Sequence, residues 1–137
     1  MLALFLIVTL GSVGGFLLTV STGQIQAASQ DEQAVRAYQA AYTGVQWAAF
    51  RILRTGADCP ALNGQTVVLG NGLAGFSTTV SCISAAEDEG SRTGLNAVRL
   101  FHLTVTGCNN PTAPHTCPIA APGADYVERQ LHLTVVR

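Results

Sequence analysis

Few side chains in this sequence could do covalent or metal chemistry. Cys59, Cys82, Cys108 and Cys117 all lie in the C-terminal part of the chain. An even number of cysteines in a small domain, unevenly spaced and with no CxxC pair, reads as two disulfides formed in an oxidising compartment. Four cysteines allow three connectivities. Sequential pairing, Cys59 with Cys82 and Cys108 with Cys117, is the expectation adopted, because each bond would close a segment that otherwise looks unsupported. The competing chemistry is four reduced thiols, or a zinc site drawing on His102, His115 or His132, but the CxxC or HxxxH spacing of such a site is absent.

The remaining reactive groups form no constellation. His102 and His132 fall on outward positions of alternating stretches and read as solvent-face residues; a shared metal or an acid/base pair is the sharper alternative, with no nucleophile or carboxylate at a telling spacing. Glu87, Asp88 and Glu89 sit in AAEDEGSRTG without the DxDxDG pattern of a calcium loop and read as a polar loop. No GxSxG, P-loop or HExxH occurs. Trp47, alone in the chain, is expected to pack against a sheet or a neighbouring subunit rather than stack on a ligand. No enzymatic activity, cofactor or metal is therefore expected. The net charge of −1, with no lysine, gives no electrostatic basis for binding nucleic acid.

The elements that would position these residues are clearer. The chain has 137 residues, 48% hydrophobic and 11% charged, one domain's worth and too apolar to be disordered. No charge precedes Asp31, and the opening lacks the basic start and small-residue cleavage site of a secretory signal. At ~1.5 Å per residue, the ~20 residues of MLALFLIVTLGSVGGFLLTV are long enough to cross a ~30 Å hydrocarbon layer. Segment 1–23 is accordingly expected to be a membrane-spanning helix, with Met1, Leu4, Phe5, Ile7, Val8, Leu10, Gly11, Gly14, Gly15, Phe16 and Leu18 as its packing residues. Its glycines and hydroxyls predict a melted patch somewhere between Gly11 and Gly23.

Segment 24–56 reads as an amphipathic helix. Val35, Tyr38, Tyr42, Val45, Ala49 and Ile52 recur at steps of three and four, a stripe expected to meet the sheet, and Gly56 is a plausible cap. Segment 57–137 reads as a disulfide-stapled head of four antiparallel strands, at 65–69, 75–84, 96–107 and 125–137, divided by Gly, Pro, Asn and Ser clusters. The fold class expected is α+β: a long N-terminal helix packed on a four-stranded antiparallel sheet.

This layout resembles type IV pilins and pilin-like proteins in their mature, leader-cleaved form. FLIVTLGSVGGFLLT, VRAYQAAYTGVQWAAFRIL and DYVERQLHLTVV are similar, more narrowly, to the MSHA pilus biogenesis and PilX-type pilin families, and together cover about a third of the chain. Standard major pilins carry a glutamate at the fifth mature position; here that position is Phe5, with Met1 expected as the mature first residue. The resemblance implies a subunit held in the inner membrane before assembly. It then polymerises through its N-terminal helix, with identical or homologous pilin subunits, into an extracellular filament used for adhesion or motility. The alternative it leaves open is a minor pilin or pseudopilin-like, single-span accessory protein of pilus assembly or of a secretion system.

Overall fold

A computed structural model describes residues 2–88, 97–110, 112 and 115–137. Met1 and residues 89–94 of the acidic loop lie outside the described residues. The chain divides into two compact units, 1–32 and 33–137.

Helix α1 runs Leu2–Thr55. Its backbone is helical through Gly11, Gly14 and Gly15, so the melted patch expected in this stretch is not seen. Each glycine lowers helix stability by about 1 kcal/mol relative to alanine but leaves the internal hydrogen-bond ladder whole. Nearby hydroxyls reinforce that ladder: Thr9 Oγ1 donates to the carbonyls of Phe5 and Leu6, both at 3.0 Å, and Ser12 Oγ to Thr9 O at 2.8 Å. The helix stops where Gly56 takes φ +68°, a left-handed turn that costs glycine little, and the Ala57 N–H donates to Arg51 O.

In the second unit a short helix, α2 (Cys59–Leu62), leads into a sheet of β1 (Thr66–Val68), β2 (Ser77–Asp88), β3 (Ala97–Cys108) and β4 (Glu128–Val136). The strands pair antiparallel in sequence order, so the fold is α+β with one four-stranded antiparallel sheet. β2 continues to Asp88, opposite Ala97, and thus takes up part of what reads in sequence as the acidic loop. The cysteines form two disulfides, Cys59–Cys82 and Cys108–Cys117. The first fastens α2 to β2, and the second folds the segment after β3 back over the outer face of the sheet, where the Cys117 N–H donates to Thr79 Oγ1 at 2.8 Å.

Period-2 alternation puts Phe101, Leu103 and Val105 of β3, with Val80 and Cys82 of β2, on the face toward the helix, where they are buried with Ala48, Ile52 and Leu62. Ala37, Ala40 and Phe76 form a second cluster, flanked by Leu69, Leu73 and Val127. The helix side of this core differs from the expected stripe. Ile52 is fully buried and Val45 packs against the core, but Val35, Tyr38 and Tyr42 are about half exposed. The buried side carries Ala37, Ala41, Gly44, Ala48 and Ile52 instead. Contact distance explains the exchange. A Cβ on Gly107 would collide with the backbone of Ala37 and Ala41, and one on Gly44 with the side chains of Thr78 and Val105, so only small residues fit where helix and strand meet.

Two stability predictions follow from this contact. Gly107→Ala has rigid backbone as its obstacle and should destabilise the full chain by about 2–3 kcal/mol in urea unfolding. Thr78 Oγ1 is buried with no hydrogen-bond partner among the described residues, so the near-isosteric Thr78→Val should stabilise by about 1 kcal/mol. A destabilising Thr78→Val would show that the hydroxyl is satisfied in solution.

Candidate assembly surface

The described residues of the first unit are helical, and from Ala3 to Leu18 their side chains are apolar or small on every side. Successive residues step ~100° around a helix, so Leu4 to Val8 pass once around the axis; four of these five are 65–70% exposed. Leu10, Val13, Phe16, Leu17 and Leu18 continue the exposed apolar surface. The hydroxyls of Thr9 and Ser12 turn inward to helix carbonyls and add little polarity. A Cβ at Gly11, Gly14 or Gly15 would meet no atom within 4 Å, so these positions are low points in the surface over which another backbone can come close.

The expected membrane span is not found: among the described residues no helix is long and apolar enough to cross a membrane.

The second unit has its own exposed apolar row. Val35, Tyr38, Tyr42, Phe50 and Leu53 are 49–58% exposed and, at ~100° per residue, lie on the side of the helix opposite Ala37, Ala41, Gly44 and Ala48. The helix therefore carries a small-residue side for the sheet and a large, partly aromatic side for solvent. The inner row was readable as a repeat of small residues at 37, 41, 44 and 48, a signal that size-weighted hydrophobicity overlooks. Trp47 packs against the core with the Arg51 guanidinium 5.7 Å from its ring.

At the far end of the core an ionic cluster absent from the sequence reading ties the chain together. Arg137 donates to Asp58 Oδ1 at 3.2 Å and to Ile52 O at 3.2 Å, and lies 5.3 Å over the Phe101 ring; Arg99 donates to the same Asp58 oxygen at 3.0 Å. Asp58, Pro60, Ser84, Ala85 and Arg99 line a cleft of about 350 Å³ that contains no histidine. His115 bonds the Asn110 carbonyl within the 108–127 segment, while His102 and His132 stand on the outer face of the sheet. The three histidines thus share no site with the cysteines, and among the described residues no three His, Cys, Asp or Glu residues are placed to hold a metal ion.

Asparagine and tyrosine order the 108–127 segment. Asn109 Nδ2 donates to Gln33 Oε1 and Asp125 O, and its Oδ1 accepts from the Val127 N–H. The Tyr126 hydroxyl donates to Glu128 Oε2 at 2.7 Å. Burial, then that bond to a carboxylate, push the phenol up to about 12. The neutral form is the one the fold favours, so this contribution to stability is complete below pH 10 and is lost between pH 10 and about 12. Absorbance titration at 295 nm should show a tyrosine component near pH 12 that Tyr126→Phe removes; its persistence in that variant would contradict the assignment.

Compared with known proteins, the chain matches no family model, no curated protein and no solved structure.

Proposed function

We propose that this chain is a structural subunit that polymerises through the apolar segment of α1 into a type IV pilin-like extracellular filament, drawn from a pool associated with the inner membrane. The observation that carries this reading is the exposure of Leu4, Phe5, Leu6, Ile7 and Val8 around a full turn of helix. A helix that is hydrophobic on all sides is stable only when surrounded, and neighbouring copies of the same helix can surround it. The second unit offers an exposed row of its own, Val35, Tyr38 and Tyr42. The sequence resemblance to pilins points the same way, and the two disulfides suit a head exposed to an oxidising exterior.

Electron microscopy of material sheared from cells expressing the chain, with mass spectrometry of its N-terminus, tests the proposal. Thin fibres containing the chain are expected. Leu10→Asp should abolish them, since a carboxylate buried among apolar helices costs several kcal/mol. Tyr38→Ala with Tyr42→Ala should reduce fibre yield while moving head stability by less than about 1 kcal/mol, because both rings are half exposed. Absence of fibres, with the chain in the membrane fraction, would replace this reading by that of a membrane-associated accessory protein.

A further inference from the structure

The outer face of the sheet carries a pair of histidines in a reciprocal arrangement. In the β3–β4 register His102 lies opposite Thr134 and Thr104 opposite His132, so the imidazoles occupy diagonal positions of adjacent cross-strand pairs. Such diagonals are ~7–8 Å apart, within reach of long or aromatic side chains. Each ring leans across the gap between strands: His102 Nδ1 is 3.1 Å from Thr134 Oγ1, and His132 Nδ1 is 3.1 Å from Thr104 Oγ1. One ring reaches from β3 toward β4 and the other from β4 toward β3, which brings both into the same inter-strand channel. Both histidines are exposed.

With Nδ1 engaged by a hydroxyl, the free ring nitrogen of each histidine is Nε2. The contact allows either tautomer; in the one whose Nδ1–H donates to the threonine oxygen the Nε2 lone pair is available, the arrangement by which outer-shell partners orient histidine ligands. Imidazole nitrogens favour copper, nickel and zinc, and copper(II) binds most strongly along the divalent series.

We propose that His102 and His132 together bind one copper(II)-class ion through Nε2 on the outer face of the sheet, with water in the remaining positions and Thr104 and Thr134 as positioning residues. The site is independent of the filament reading, since it uses neither the helix nor the assembly surface. Both nitrogens bind in their neutral form, and no redox step is involved.

The test is titration of the full chain, in mild detergent, with copper(II), read by electron paramagnetic resonance and by proton NMR of the histidine rings. One ion per chain is expected, with coupling to two imidazole nitrogens. His102→Asn and His132→Asn should each weaken binding at least tenfold and leave one-nitrogen coupling. Thr104→Val and Thr134→Val should weaken it about tenfold, the low end for outer-shell partners. His115→Asn should change nothing. Sub-stoichiometric copper should broaden the ring signals of His102 and His132 together, which tests the wild-type chain without any variant. Broadening of His115 first, one-nitrogen coupling in the wild type, or unchanged affinity in either histidine variant would overturn the proposal.

Discussion

The second unit is organised around one contact, the approach of α1 to the sheet at Gly107. There the strand has no side chain, and the helix backbone at Ala37 and Ala41 fills the space a Cβ would take. Gly44, further along the helix, lets Thr78 and Val105 come equally near. Such proximity is possible only if the helix turns its small residues inward. Its large ones must then face away, because residues spaced by three and four along one side leave the opposite side to their neighbours. The exposed Val35, Tyr38 and Tyr42 are thus a geometric consequence of the buried Ala37, Ala41 and Gly44.

This also shows where sequence reasoning held and where it failed. The α+β class, the long helix, the four strands and the two disulfides were legible because each has a strong local signal: apolar periodicity, β-branched alternation bounded by Gly and Pro, and an even count of spaced cysteines. The orientation of the helix was not. Hydrophobic periodicity weights a tyrosine above an alanine, whereas the close contact selects for the absence of a side chain, a property of two elements jointly. The Asp58–Arg99–Arg137 cluster escaped for a similar reason. Its members are far apart in sequence, and only the register that brings the end of β4 beside Arg99 makes them neighbours.

The head is closed by ties of different chemistry at opposite ends. Near the C-terminus of the helix, Arg137 binds a terminal carbonyl and Asp58, where positive charge also suits the helix dipole. Exposed ion pairs are each worth less than ~1 kcal/mol, so the covalent link of Cys59 to Cys82 contributes more to holding α2 on β2, on the order of 3 kcal/mol for a loop of this size. At the other end the Cys108–Cys117 bond and the Asn109 hydrogen bonds hold a long irregular segment against the sheet and against Gln33. The two fastenings leave the middle of the outer sheet face open, and it is there that the histidine and threonine pairs lie.

Magnitudes bear on how the apolar surface is used. Burying a large aliphatic or aromatic side chain stabilises by ~1.5–3 kcal/mol, so the five residues from Leu4 to Val8 yield on the order of 10 kcal/mol if fully covered. Immobilising one chain on others costs ~4–15 kcal/mol before any side chain is ordered. The first turn of apolar surface therefore roughly offsets the cost of association and does not exceed it comfortably. A stable association through this segment therefore needs the apolar run through Leu18 as well. A dimer covers only one side of a helix that is apolar on every side. Several copies arranged around it would cover them all, which is the arrangement that the filament proposal invokes.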